Sequence, residues 1–309
     1  MIKRCDFFYP SADGRTEIHG VRWQPEGQPR AVVQIAHGIC EHIGRYEEVA
    51  RWLAEREILV VGNDHLGHGQ SWQEAERKGL FAEQDGWALA VRDMEALRQQ
   101  TAEANPGVPY FLLGHSMGSF LTRTYLIRYP GRVAGAILSG TGQQPGWLTA
   151  AGYGFASLLC RTKGVQHRSP LMRKMMFGGY NNAFRPNRTE NDWLCGSEAV
   201  VDAYCADPLC EFLPCIGLYR DMLGGLRLIS RADHAAKMDK TTPVLFFSGE
   251  LDPVGEQGRG VLRAVALFRG AGCRDVTCRL YPEGRHEVLN EAWRESVYRD
   301  VLTWLEERL

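Results

Sequence analysis

The stretch FLLGHSMGSF, residues 111–120, joins an apolar run to a helical pattern through a serine set between two glycines. Ser116 has two physically sound uses there: its oxygen can cap a helix start by accepting an orphan backbone N–H, or its hydroxyl can attack a bound molecule. Gly-x-Ser-x-Gly also arises by chance in a chain with this much glycine, so the surrounding sequence has to decide.

Working outward from that stretch, apolar runs alternate with amphipathic ones. RAVVQIAHG (30–38) is continuously apolar and closed by glycine, as a strand buried on both faces should be, and YEEVARWLAERE (46–57) then carries its apolar residues at helical spacing. The alternation continues through ILVVGND (58–64), a helix from Gly86 to Asn105, YFLLGHS (110–116), a helix from Met117 to Tyr129 and VAGAILSG (133–140). It resumes with PVLFFSGELD (243–252), an amphipathic stretch from Gly258 to Gly270, DVTCRLYPEG (275–284) and a last helix from about Asn290 to Leu309. At the N-terminus CDFFY, a turn at Ala12-Asp13-Gly14 and TEIHGVRWQP predict an antiparallel hairpin.

Between the two alternating runs strand signals nearly vanish. GWLTAAGYGFASLLCR, SPLMRKMMFGG, SEAVVDAYCAD and IGLYRDMLGGLRLIS are helical pieces separated by Gly, Pro and Asn. The chain therefore reads as an α/β protein with a mostly parallel sheet. Residues 1–142 and 239–309 form the two parts of the sheet domain, and residues 143–238 an inserted helical cap. The first cap piece is apolar over about 14 residues, short of the ~20 a bilayer requires. Packing on the sheet domain and lining a greasy pocket are the two uses open to it.

Composition narrows the partners. The 309 residues carry 36 basic and 37 acidic side chains with no basic block, so bulk charge attracts neither nucleic acid nor an anionic membrane. Small neutral or zwitterionic molecules remain. No apolar stretch of signal-peptide length precedes the first polar residues, and a cytoplasmic location is expected. Nine cysteines, an odd number without a C-x-x-C pair, make no disulfide framework. Cys205, Cys210 and Cys215 recur every five residues, which suits neither one helix face nor a zinc knuckle.

In a parallel sheet, ligands gather beyond the carboxyl ends of the strands. His37 and Gly38 follow the first apolar run, Asn63-Asp64-His65 the next, Gly114-His115-Ser116 the next, and Asp252 and His286 the last two. One sheet edge thus collects Ser116, Asp252 and His286 in the chain order of nucleophile-elbow hydrolases, whose glycines, here Gly114 and Gly118, let a tight turn lift the serine clear. A serine hydroxyl is a feeble nucleophile until an imidazole takes its proton, and a carboxylate must hold that imidazole in one tautomer. The developing oxyanion needs preorganised donors: the Met117 N–H and one from the loop after the first parallel strand, best placed at Ile39.

The quoted motifs HGICEHIGRY (37–46), DHLGHGQS (64–71), GHSMGS (114–119) and EGRHEVLNE (283–291) together resemble the α/β-hydrolases of the monoacylglycerol lipase and lysophospholipase group, also classed with the serine aminopeptidases. The resemblance covers about two-thirds of the chain. It implies Ser116 as nucleophile, His286 as base, Asp252 as its partner and the Ile39 and Met117 backbones as oxyanion hole. Ser119 departs from the pattern, standing where the group often has a second glycine, and the cap matches no motif.

Other readings stand beside these. Asp252 is also placed as a turn residue before Pro253, and Asp233 and Asp239 are its rivals. His37 and His115 read as hydrogen-bonded structural residues. Glu41, His42 and Arg45 are expected either to form an ion-pair network holding the oxyanion loop or to be a solvated face. Asp64, His65 and His68 are too loosely spaced for a metal site, and no G-x-G-x-x-G opens the first helix, so neither metal nor dinucleotide is expected. The reading is a cofactor-independent serine hydrolase acting on a small-molecule ester with a medium or long acyl chain. Amide or peptide cleavage by the same machinery is the alternative, and a ligand receptor with a retained triad a further one. Acyl length, head group, oligomeric state and contact of the cap with a membrane surface are left open by the sequence.

Overall fold

The computed structural model describes residues 2–72 and 74–309. Eight strands form one sheet in the order β1-β2-β4-β3-β5-β6-β7-β8. β1 (Lys3–Pro10) and β2 (Glu17–Gln24) make the expected antiparallel hairpin, and β2 runs antiparallel to β4 (Ile58–Asn63). From there β3 (Ala31–Ala36), β5 (Tyr110–His115), β6 (Gly135–Ser139), β7 (Val244–Gly249) and β8 (Val276–Tyr281) are parallel.

Continuous apolar runs are explained by burial on both faces. Along β3, Val32 and Ala36 enter one core layer while Val33 and Ile35 enter the other. On the first face lie α2 (Gly86–Ala104), α3 (Met117–Arg128) and α9 (Arg259–Gly270), through Met94, Leu121 and Val265. On the second lie α1 (Glu47–Ala54) and α10 (Arg294–Glu306), through Leu53 and Val301. α10 starts later than the sequence pattern predicts. Val288–Asn290 forms a short 3₁₀ turn instead, and the Glu291 carboxylate is occupied by the N–H groups of Gly196 and Arg285.

Between β6 and β7 the chain builds α4 (Gly146–Lys163), α5 (Pro170–Phe177), α6 (Glu198–Ala206), α7 (Ile216–Ile229) and the single turn α8 (Ala232–Ala235). α7 packs against both α4 and α3. Arg123 of α3, fully buried, donates to the Gly142 carbonyl at 2.8 Å and the Ile229 carbonyl at 3.3 Å, so one side chain ties both ends of this helical excursion to the sheet. No helix among the described residues is long and apolar enough to cross a membrane.

Candidate active site

Ser116 sits in the turn between β5 and α3 with φ 53° and ψ −121°, a backbone conformation that suits glycine. Its side chain makes no capping hydrogen bond. The two glycines make the turn fit: a Cβ on Gly114 would lie 2.4 Å from the Gly118 carbonyl oxygen, and one on Gly118 would lie 1.9 Å from that of Ala36. The serine's backbone is pinned instead, its N–H donating to Ser139 O at 2.9 Å and its carbonyl accepting from the Ser119 hydroxyl at 2.6 Å. Ser119, the departure from the family pattern, is thus accommodated behind the turn.

His286 arrives on the loop after β8 and Asp252 on the turn after β7. The two side chains are buried, and His286 Nδ1–H donates to Asp252 Oδ1 at 3.0 Å. Asp252 also accepts from the Val254 N–H at 2.9 Å and the Ser248 hydroxyl at 3.0 Å. Burial pushes this carboxyl up, but His286 and those hydrogen bonds outweigh it and hold the pKa below the ordinary value. Burial works against the charged imidazole, yet Asp252, with Glu287 and Glu41 behind it, lifts His286 above its ordinary value. With the Nδ1 proton committed to Asp252, Nε2 keeps the free lone pair. The rings of His115 and Trp193 flank the imidazole at 4.6 and 5.0 Å.

Ser116 and His286 line one cavity of about 690 Å³. Ile39 and Cys40 border it from the loop after β3, and Phe177, Trp193 and Leu213 from the helical segment. A Cβ on Gly38 would lie 3.2 Å from Ser116 Cβ, so this loop runs directly against the serine. Among the described residues, the Ile39 and Met117 N–H groups have no hydrogen-bond acceptor.

The other polar residues singled out by sequence fall into structural roles. His37 donates from Nδ1 to the Gly38 carbonyl at 2.7 Å and accepts the His65 N–H on Nε2 at 2.9 Å. His115 meets Ser139 Oγ at 3.1 Å, and burial followed by the charge of His286 pushes it down to about 3. Asp233 pairs with Arg231 at an exposed position, and Asp239 accepts from the hydroxyls of Thr241 and Thr242, so neither rival meets His286. Asp64 is spent on His19 and the N–H groups of Ile43 and Gln70, while His65 and His68 pack their rings against Phe81.

The expected network of Glu41, His42 and Arg45 needs correcting at His42. That ring accepts the Gly44 N–H on Nδ1, which turns Nε2 away from Arg45 and onto Asp207 at 2.8 Å. Of the three regularly spaced cysteines, Cys210 joins His42 and Asp207 in one cluster. The Nδ1 acceptor role leaves Nε2 protonated toward the carboxylate, so the cluster is a hydrogen-bonded pair beside a thiol. Arg45 does bind Glu41, at 2.8 Å, and finds a partner the sequence reading missed: Glu287, gripped by two guanidinium nitrogens at 2.7 and 2.8 Å.

A mostly parallel sheet with a strained serine at a strand-to-helix turn, and an aspartate–histidine pair brought from the last two strands, defines an α/β-hydrolase. The chain belongs to the family described as serine aminopeptidase, S33, whose model matches residues 27–292. It is 30% identical over 296 residues to the monoglyceride lipase of Homo sapiens, covering 93% of this chain and 86% of that protein. It is 30% identical over 304 residues to the monoacylglycerol lipase of Mycolicibacterium smegmatis, covering 98% and 97%. Among solved structures, a highly thermostable carboxyl esterase from Bacillus coagulans in complex with glycerol matches with a TM-score of 0.93 at 25% identity, covering 100% of this chain and 99% of that one.

Proposed function

We propose that the protein hydrolyses carboxylic esters of medium or long acyl chains, monoacylglycerol or lysophospholipid-like, through an acyl-serine intermediate. The observation that carries this is the uncapped Ser116 hydroxyl and the Asp252-paired imidazole on the wall of one cavity. Ser116 Oγ attacks the ester carbonyl while His286 Nε2 takes its proton, and Asp252 steadies the imidazolium. The oxyanion is met by the Ile39 and Met117 N–H groups. His286 then gives its proton to the departing alcohol, and a water molecule, deprotonated by the same nitrogen, releases the acid and restores the serine.

Residues 143–238 serve as a cap in this reading. Phe177, Trp193 and Leu213 suit an acyl chain, and Asn181 and Thr189 supply polar lining for a head group. The names of the relatives favour glyceryl esters. On the outer side of the same segment Trp147 and Leu158 of α4 and Leu171 and Met175 of α5 are 74, 57, 55 and 58% exposed. We propose that this face makes transient contact with a lipid surface, where such substrates reside.

A fluorophosphonate probe should label the wild-type protein and leave Ser116→Ala unlabelled, with the melting temperature of the variant within a few degrees. Glyceryl and lysophospholipid esters should be cleaved faster than aminoacyl amides. Hydrolysis retained by Ser116→Ala would remove the nucleophile, and a preference for amides would move the activity to peptide-like substrates.

A further inference from the structure

We propose that Arg45 and Glu287 are positioning residues for the reaction: the Arg45 guanidinium, forked between Glu41 and Glu287, fixes the oxyanion loop relative to the loop that carries the imidazole. The inference rests on the reading of Ser116 and His286 as nucleophile and base.

The need for such a device follows from topology. The oxyanion loop leaves β3 and the histidine loop leaves β8, with β5, β6 and β7 lying between them in the sheet. Among the described residues no backbone hydrogen bond joins the two loops directly. The side chains do. Glu41 Oε1 accepts the Gly38 N–H at 2.5 Å and the Tyr46 hydroxyl at 2.9 Å, and its other oxygen accepts from Arg45 at 2.8 Å. Glu287, adjacent to His286 in the chain, takes the fork of Arg45 and an amide N–H of Asn290 at 2.8 Å. Its own N–H donates to the Leu194 carbonyl at 2.7 Å. Both carboxylates are satisfied and only 4% exposed, with Arg45 at 12%, so the pairs are held by geometry that solvent does not loosen. Arginine is the suitable cation because its planar fork fixes direction as well as distance, which an ammonium group does not.

The same network places one cation between two carboxylates beside the base. The charges facing His286 are Asp252 from the turn after β7, Glu41 and Arg45 from the loop after β3, and Glu287 from its own loop. His115 of β5 faces it as a neutral ring, because burial keeps that imidazole unprotonated, and the helical segment faces it with the uncharged Trp193. Removing the negative charge of Glu287 therefore makes protonated His286 less stable. Replacing Arg45 by lysine keeps the charge and loses the fork.

The experiment measures kcat and KM against pH for wild type, Glu287→Gln and Arg45→Lys on a soluble short-chain ester, with kcat counted per fluorophosphonate-titrated site. For Glu287→Gln the acid limb should move down by about half to one pH unit. For Arg45→Lys the limb should stay in place while kcat falls about 10-fold and KM changes less than about two-fold. A purely structural role would lower the melting temperature and the number of titrated sites but leave both readouts at their wild-type values, and that result overturns the proposal. Should Glu287→Gln fail to fold, the kcat of Arg45→Lys decides alone. Activity retained by Ser116→Ala defeats the underlying reading whatever Arg45→Lys does. An inactive Ser116→Ala with an unchanged Arg45→Lys defeats only the present inference.

Discussion

Gly118 and Ala36 touch backbone to backbone: a Cβ on the glycine would stand 1.9 Å from the alanine's carbonyl oxygen and 2.5 Å from its carbonyl carbon, with the carbonyl oxygen of His37 at 2.7 Å. The first turn of α3 therefore rests on the end of β3, and the loop bearing Ile39 begins at that contact. A flexible side chain could yield to an added methyl group, but these carbonyls belong to the sheet and its outgoing loop. Gly118→Ala should cost about 3 kcal/mol, at the upper end of overpacking penalties. The displaced turn should slow fluorophosphonate labelling of Ser116 at least ~10-fold. Urea titration and labelling kinetics check both. Wild-type values would show that α3 has room to spare.

The backbone of Ser116 makes a separate prediction. A non-glycine residue at φ 53°, ψ −121° stores strain of order 1–3 kcal/mol. No capping bond from the side chain returns any of it. Ser116→Gly should relieve the strain, less the extra chain entropy a glycine brings to the unfolded state, for a net gain of about 1 kcal/mol. Ser116→Ala keeps the Cβ and should gain nothing. Both variants should be inactive. Equal stability of the two in chemical denaturation would mean that the turn is relaxed.

These two positions also show what the sequence made legible and why. Runs such as AVVQIA announce strands because neighbouring residues enter opposite core layers, Val32 one and Val33 the other, leaving no polar face to interrupt them. The turn at Ser116 was legible because both glycines stand within two residues of the serine in one short motif, although the contact that demands Gly118 is made by Ala36 of the distant strand β3. Glu287 was not. Its partner Arg45 lies 242 residues distant, and no local pattern distinguishes a glutamate that meets a guanidinium from one that meets water. His42 failed for a related reason. Its direction is set by Gly44 and by Asp207 in the helical segment, whose path over the sheet has no periodicity to read. The late start of α10 likewise depends on Glu291 binding Gly196 and Arg285, a tertiary contact that overrides the local helical pattern.

For hydrolysis, the state of His286 sets the acid limit. Because Asp252, Glu287 and Glu41 outweigh burial and raise this imidazole, its proton should leave above the ordinary value of about 6.5. A protonated Nε2 has no lone pair with which to take the serine proton. The plot of kcat/KM against pH should therefore fall on the acid side with its midpoint above about 6.5. Asp252→Asn removes the main raising charge and should bring the midpoint down along with a large loss of rate. A flat profile from pH 5 to 8 would show that no imidazole acts as base.

For folding stability the balance of the histidines runs the other way. Burial first, then neighbouring imidazoles, pushes His65 down to about 3 and His115 to about 3, burial pushes His68 to about 4, and His37 lies well below its ordinary value. In the unfolded chain these same rings bind protons near pH 6.5. Below that pH the unfolded state is the larger proton sink, so stability falls as pH falls. His286 and His19, whose pKa values are raised in the folded state, contribute stability that is fully present below about 6.5 and is lost only as pH rises through their folded values. They add no slope on the acid side. Asp93, raised to about 7 by burial, and Asp221, raised by burial to about 6, hold protons in the native state that the unfolded chain releases. The four depressed imidazoles outnumber these two carboxyls, so the unfolded side binds the excess protons and about 2 kcal/mol is lost between pH 6 and 5. Urea midpoints at the two pH values measure it. His65→Phe, at a ring whose two nitrogens have no partner and which packs against His37 and Phe81, should shrink the loss by about 1 kcal/mol. An unchanged slope in that variant would mean that His65 is already protonated inside the fold.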